Sequence, residues 1–411
     1  MKDDRRLLPE TSVAIDLSRR KRQANAEPPR RGIAAAAQER IAPYTSMVRI
    51  ALEQLQRSHM ARAGALVVAC LTMIAIFADV LASELPIVCR VRGVVYVLPN
   101  VSKPAALRGF DQARLARESD AGDWTIPTLL RHGPNPVVPP PPGEELRAPS
   151  FTSGHLLGTD ARGRDVLARV IHGTRTALTA GLIAVIAFAG IGIFMGALAG
   201  FFGGMLDAVV ARVIEIVTAF PTLVLVLVVQ AVVPHPTTYT MLLAIGLTRW
   251  TEVARLVRAE VLLVGAQDYV TAARALGASS WRVLRRHVLP NAVAPAMVAA
   301  TFGVATVVLI EASLDFLRVG VPSQVASWGE TLSESREHSG AWWLLVFPGG
   351  MVFLTVVALN LVGEALRDAL DPRLRDAVRI VESAQEKHAG PISKGTGMPP
   401  SSAAFDESAH T

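Results

Sequence analysis

Apolar residues in this chain fall into long unbroken blocks, separated by short polar stretches. Six blocks approach or exceed the roughly 20 residues that cross a hydrocarbon core: Ala63–Leu81, Ala177–Leu198, Val209–Val232, Tyr239–Val253, Ala292–Leu314 and Trp342–Val362. The fourth is the shortest and runs into Arg249 and Glu252. Helices on the surface of a soluble core would show polar positions every third or fourth residue. The run AGLIAVIAFAGIGIFMGALAG shows none. The pattern predicts an all-α, polytopic membrane protein with about six transmembrane helices.

Composition agrees. Apolar residues make up 51% and charged residues 18%, against about a quarter charged in a soluble domain. Basic residues cluster in three places: the tail holding SRRKRQ, the stretch Tyr269–Pro290, and LRDALDPRLRDAVR after the last block. With six spans these share one side, which the positive-inside rule makes the cytoplasm, so both termini are expected there. The net charge of +6 therefore reports topology and contact with anionic lipid. No basic face on a soluble domain points to nucleic acid. Of the two cysteines, Cys70 lies in the first span and is expected to pack as a small hydrophobe, with Cys89 as an external thiol. No metal spacing or redox motif is visible.

The expected organisation is a basic, largely disordered cytoplasmic tail over 1–60 and an uncleaved anchor helix over 61–83. An external (periplasmic) Pro-rich segment follows over 84–157; it ends in the proline run NPVVPPPPGEELRAP, a stiff extended stretch rather than a folded core, ahead of which VRGVVYVLPN can make a short strand. A core of five spans over 158–372 and a disordered cytoplasmic tail over 373–411 complete the chain. Inside the second span Gly192, Gly196 and Gly200 recur on one helix face, where small residues let another backbone approach. Packing within this chain is the favoured reading, with a second subunit left open.

YVTAARALGASSWRVLRRHVLP, residues 269–290, is neither a span nor an ordinary loop. Good helix formers with small side chains at Ala272, Ala273 and Ala275 lead to Gly277, which can take positive φ and end a helix. A second short helix starts at Ser279 or Ser280, where a serine can cap it, and Pro290 marks the start of the fifth span. The expected product is a helix–turn–helix elbow in the cytoplasm, with Ala273 at the closest approach of a partner. Elsewhere, Asp160, Arg164 and Asp165 of GTDARGRD are read as fixing a turn. Glu311 and Asp315 sit one helical turn apart near the outer end of the fifth span and are candidates for the translocation path. Arg212 with Glu215 reads as an ion pair.

The order of these residues resembles the EAA loop of ABC importer permeases. The stretches LGTDARGRDVLARVIHGTRTAL, GFFGGMLDAVVARVIEIVTAFPTL and NLVGEALRDALDPRLR are similar to the oligopeptide/dipeptide (OppC/DppC) branch. SLDFL and GEALRDALDP look most like its Yej-type peptide/microcin C permeases. The resemblance implies a MetI-like, type I importer permease fold in the bacterial plasma (inner) membrane. It implies ATPase coupling through Tyr269, Thr271, Ala272, Ala273, Gly277, Arg285, Leu289 and Pro290. Its implied partners are a second homologous permease, two ATP-binding domains or subunits, an external solute-binding protein and membrane lipid. Two departures stand out: Thr271 replaces the loop's usual glutamate, and Arg318 replaces the usual glycine after SLDFL. No G-x-x-x-x-G-K-[ST] loop is present, so ATP is expected on partner subunits, with no cofactor, metal or catalytic residue in this chain. The expected function is import of short peptides or peptide-like solutes. The alternatives are import of nickel or another small solute by the same fold, and an ion-coupled carrier using Glu311 and Asp315. A membrane hydrolase is disfavoured, because no histidine lies in the six blocks.

Overall fold

The structure, a computed structural model, describes residues 58–370 apart from 118–121, 153, 235–236 and 321–323. Both expected tails therefore fall largely outside the described residues. Helix α1 (His59–Ile76) begins where the Ser58 hydroxyl accepts the Ala61 amide. Strands β1 (Val88–Val91) and β2 (Val94–Val97), helix α2 (Gln112–Arg117) and strand β3 (Trp124–Ile126) follow. Helix α3 (Val166–Phe202) precedes α4 (Gly204–Thr218), α5 (Thr222–Val232) and α6 (Thr238–Gly265). The chain then forms α7 (Asp268–Ala275), α8 (Ser280–Val283), a π turn over Leu284–Val288, α9 (Leu289–Ala292) and α10 (Ala294–Phe316). It ends in α11 (Trp328–Glu334) and α12 (Trp343–Leu370).

Four described helices, α1, α3, α10 and α12, are long and apolar enough to cross a membrane. The third expected span is not one straight helix: α4 and α5 meet at 87°. Pro221 sits at this break. It lacks the amide a continuing helix needs and pushes the residue before it out of helical geometry. The fourth expected span lies within α6, which is 28 residues long. Arg249, Glu252, Arg255, Arg258 and Glu260 make it too polar to qualify by composition. Among the described residues the count is thus four spans, or five with the bent pair.

Helix α3 has 37 residues, or roughly 55 Å at 1.5 Å each, and organises the rest. A Cβ on Gly192 would meet Trp250 O and Val253, one on Gly196 would meet Ala254 and Val257, and one on Gly200 would meet Arg258 O and Val261. All three glycines are buried, so the ridge packs within the chain. Both partners advance by four at each step, so α3 and α6 run parallel. Two parallel helices require a return path between them, and the bent α4–α5 pair supplies it. Helix α10 runs the other way, because Gly181 meets Val304 and Val308 while Phe188 meets Gly303. Helix α12 is parallel to α3: Trp343 at its start lies against Gly158, and Gly363 near its end lies against Phe302. Outward side chains such as Ile186, at 66% exposure, and Phe353, at 71%, give the bundle an apolar exterior.

The segment before α3 carries the expected short strand in VRGVVYVLPN and goes beyond it, correcting the expectation of an all-α chain. It holds an antiparallel sheet in the order β2-β1-β3, with Cys89 opposite Tyr96 and Thr125. Arg92 and Gly93, both at positive φ, make the hairpin turn, a geometry that suits the strand twist. Cys89, Leu107 and Leu115 are buried together beneath it. Cys89 is therefore a core residue, with its thiol pushed up by burial, while Cys70 is the exposed one. Gln112 Nε2 ties the segment back to the end of α1 through Ser83 O at 2.8 Å.

At the end of α10 the chain reverses through Arg318, whose φ is +60°. The Arg318 amide donates to Asp315 O at 2.9 Å and the Val319 amide to Leu314 O at 3.0 Å, the paired bonds of a Schellman cap. Arginine thus takes a left-handed conformation that glycine adopts freely. Its side chain meets Glu337 at 2.8 Å across a half-exposed surface.

Two measurements follow from this packing. Gly196→Leu is expected to destabilise the detergent-solubilised chain by about 3 kcal/mol, at the upper end of overpacking effects. Gly190→Leu, where an added Cβ meets nothing within 4 Å, is expected to leave the thermal unfolding temperature unchanged; equal stability of both variants would show that the ridge is not a tight seam. Arg318→Gly is expected to gain about 1 kcal/mol from relief of left-handed strain, less whatever the exposed ion pair contributes, while Arg318→Ala loses the pair and keeps the strain. Calorimetry ranking the alanine variant above the glycine one would contradict the cap reading.

Candidate functional site

The two ends of α3 carry different chemistry. At its C-terminal end the elbow over residues 267–292 packs against the bundle. Val270 of α7, Val283 of α8, Leu284 and Val288 of the π turn and Ala292 of α9 are buried in the main core. Arg274 lies over the Phe201 ring at 5.3 Å, so it serves the elbow's own packing. Gly277, at φ +84°, closes α7 with a Schellman cap: its amide donates to Arg274 O at 3.0 Å and the Ala278 amide to Ala273 O at 3.1 Å. Nothing lies within 4 Å of a Cβ built there. Backbone conformation alone therefore favours glycine.

The second arm departs from the expectation of a serine-capped helix. Ser279 occupies the N-cap position of α8, but its side chain makes no capping bond. Beyond α8 the chain widens into the π turn, with the Leu289 amide donating to Leu284 O. Pro290 explains this, since its ring crowds the carbonyl four residues back and offers no donor. Asn291 Nδ2 instead bonds His287 O at 2.8 Å and approaches the Tyr269 hydroxyl at 3.4 Å, joining the two arms. Burial raises the Tyr269 phenol above its usual value, with Asn291 opposing. Asn291 carries no motif signal, and the sequence reading passes over it.

The elbow's outer surface differs from a plain alanine face. Ala272 is exposed, and Ala273 is half-buried against the core. Leu276 at 89% exposure, Trp281 at 55% and Tyr269 at 42% form the apolar part of the surface. Thr271 and Arg285 are exposed, while Leu289 and Pro290 are half-buried where the elbow rejoins the bundle.

At the N-terminal end of α3 lies a buried charge knot. Asp160 Oδ1 accepts the amides of Arg162 and Arg164, each at 2.9 Å, and Oδ2 pairs with Arg164 Nε at 2.5 Å. Arg164 reaches Glu330 at 3.1 Å and Glu334 at 2.9 Å, and Arg169 reaches Glu330. Burial opposes the charge of Arg164, but Asp160, Glu330 and Glu334 together raise its pKa above the ordinary value. Glu334 is raised first by burial and then by Asp160. Beside the knot, Asp165 caps α3 by accepting the Ala168 amide at 2.8 Å. Its other oxygen meets His155 Nδ1 at 2.7 Å. His132 stacks on His155 with ring centres 4.5 Å apart, and burial lowers its pKa.

Glu311 and Asp315 do not reach an external interface. They are 0% and 2% exposed, under the Ser327 hydroxyl, which lies 3.2 Å from Glu311 Oε1 and also contacts Asp315 Oδ2. Ser327 caps α11, so both acids join α10 to α11. Arg212 and Glu215 form a 2.7 Å pair on an exposed face.

Comparison with known proteins gives this geometry a family. A family model described as "Binding-protein-dependent transport system inner membrane component" matches residues 192–376. The Alkalihalophilus pseudofirmus dipeptide transport system permease protein DppC is 36% identical over 235 residues, 57% of this chain and 76% of that one. The Pseudomonas aeruginosa di/tripeptide permease DppC is 39% identical over 251 residues, 59% of this chain and 82% of that one. The Bacillus subtilis oligopeptide permease OppC is 38% identical over 222 residues, covering 54% and 72%. The match to the family model takes in the glycine ridge, the elbow and α10 through α12. The chain belongs to the inner-membrane components of binding-protein-dependent transport systems, in the branch that holds the DppC and OppC permeases.

Proposed function

We propose that this chain forms one half of the membrane pathway of an ATP-driven importer for short peptides or peptide-like solutes. The observation that carries the coupling role is the elbow: a closed turn at Gly277, rooted in the core through Val270, Val283 and Val288, with Leu276, Trp281 and Tyr269 offered outward. An ATP-binding subunit gripping those side chains would move the elbow as a unit. The motion would pass directly into α6 and α10, which flank it in the chain. Substrate class rests on the relatives, which carry dipeptide and oligopeptide names.

In this reading the chain crosses the membrane six times, with the bent α4–α5 pair and α6 completing the set. The alternation of helix direction supports it, since the start of α1, the elbow and the end of α12 share one end of the bundle. The basic residues of the elbow and tails support a cytoplasmic position for that end. The charge knot and sheet then face the external binding protein, and a homologous permease completes the pathway. ATP is bound by partner subunits. Nickel or another small solute is the alternative cargo on the same machinery. Ion coupling through Glu311 and Asp315 is disfavoured, because both are committed to Ser327 and the α10–α11 joint.

Proteoliposomes holding the assembled transporter and its binding protein test this. ATP without an ion gradient is expected to drive uptake of a labelled peptide, and uptake that needs an ion gradient instead would overturn the reading. Gly277→Val is expected to strain the turn, and Leu276→Asp to spoil the grip without touching the core. Each is expected to lower uptake at least 10-fold and weaken retention of the ATP-binding subunit on a pull-down. Membrane insertion should be unchanged. Retention and uptake at normal rates in both variants would remove the elbow from the coupling path.

A further inference from the structure

Beside the charge knot, three side chains from separate stretches converge. The nitrogens of His132 and His155 and an oxygen of Asp165 lie within 4.8 Å of one another. Individual separations from Asp165 Oδ2 are 2.7 Å to His155 Nδ1 and 4.0 Å to His132 Nδ1. His155 and Asp165 are buried, while the His132 side chain is 43% exposed and forms the open side. Asp165 cannot swing away, because its other oxygen caps α3.

The far side of His155 supplies an independent observation. Its Nε2 faces Glu144 Oε2 at 3.5 Å. That oxygen is shielded from solvent and accepts no hydrogen bond, while Glu144 Oε1 pairs with Arg147 at 2.9 Å. With a metal on the Nδ1 side, His155 would keep its N–H on Nε2, aimed at the Glu144 oxygen. Metal-bound histidines characteristically donate their second nitrogen to a carboxylate in this way.

We propose that His132, His155 and Asp165 bind a divalent transition-metal ion of the zinc type, with Glu144 orienting His155. Two imidazoles and one carboxylate are a donor set zinc accepts, leaving a fourth position for water. Donors about 2.0–2.1 Å from a tetrahedral ion lie about 3.3 Å apart. A small opening of the His155–Asp165 contact and an inward turn of His132 would reach that geometry. The ion would pin the stretch after β3, the loop holding His155 and the first turn of α3 to one another. Its role is to brace this end of the bundle.

The test is isothermal titration of zinc chloride into the full-length chain, purified in detergent and freed of metal with a chelator. One ion per chain is expected, with thermal stability rising on addition. His132→Ala is expected to weaken binding at least 100-fold and to abolish the thermal shift. Glu144→Gln is expected to weaken it 10–100-fold, the usual effect of losing such an outer partner. His59→Ala, exposed at the start of α1, is expected to bind as the parent does. Cobalt in place of zinc should give the visible absorption of a four-coordinate site. Absence of saturable binding, or binding indifferent to His132→Ala, would overturn the proposal. So would nitrogen NMR showing His155 doubly protonated between its two carboxylates in zinc-saturated protein.

Discussion

The close approach of α3 and α6 is the constraint on which the rest of this structure depends. In a membrane, apolar side chains gain little by leaving lipid for protein, so helices associate through fit. Gly192, Gly196 and Gly200 remove the side chains that would hold the backbones apart, and Trp250, Val253, Ala254, Val257 and Val261 fill the groove. That contact explains how α6 can sit at the centre of the bundle while carrying five charges between Arg249 and Glu260. Some of the charges are answered locally: Arg258 pairs with Asp207 of α4 at 2.7 Å, and Arg249 with Glu252 at 2.8 Å. Once α3 and α6 are parallel neighbours, the return path, the elbow and α10 have few remaining places to go.

The charge knot at the other end of α3 follows a different logic. Buried ion pairs are weak evidence for stability, because desolvation opposes their attraction. They are demanding about geometry, however, and losing one partner leaves an uncompensated charge. Here Asp160, Arg164, Arg169, Glu330 and Glu334 come from a loop, a long helix and a short helix. Arg169 adds Pro134 O at 3.1 Å and Asn135 Oδ1 at 3.2 Å. Trp328 Nε1 donates to Val170 O at 3.0 Å in the same layer. The arrangement therefore specifies how α11 and the preceding segment seat on α3, beside the apolar contacts that Trp328 makes with Ala177, Val308 and Ala312.

The apolar blocks made most helices legible, because a span must be continuous and hydrophobic whatever surrounds it. The elbow was legible through Gly277 and Pro290, residues that act on their own backbone. Contacts between distant stretches left weaker traces. The break at Pro221 was visible as a proline but not as an 87° bend. A strand was legible in VRGVVYVLPN, but the small sheet as a whole was not, because its core is only Cys89, Leu107 and Leu115, too few for a pattern. That Ala273 is half-buried and Ala272 exposed left no trace, because a half-buried alanine and an exposed one look alike in sequence. His132, His155 and Asp165 show no metal-type spacing, since their meeting depends on how the segment before α3 folds back. Arg318 departs from glycine in the sequence, yet its backbone keeps the glycine-like conformation. The Schellman bonds and the Glu337 contact hold it there.

The two ends of α3 impose opposite requirements on one helix. The proposed coupling role requires an elbow stiff inside and accessible outside, and buried valines with exposed Leu276 and Trp281 fit that requirement. The proposed docking of an external binding protein requires a far end of fixed shape, and the charge knot supplies directional bonds there. Between them the glycine ridge lets α3 and α6 move only as a pair, since any sideways separation opens a void along three turns. A displacement at the elbow therefore cannot be absorbed by α6 alone. In the proposed coupling it would tilt the α3–α6 pair as a unit, and the tilt would reach the knot at the other end of the same unbroken helix.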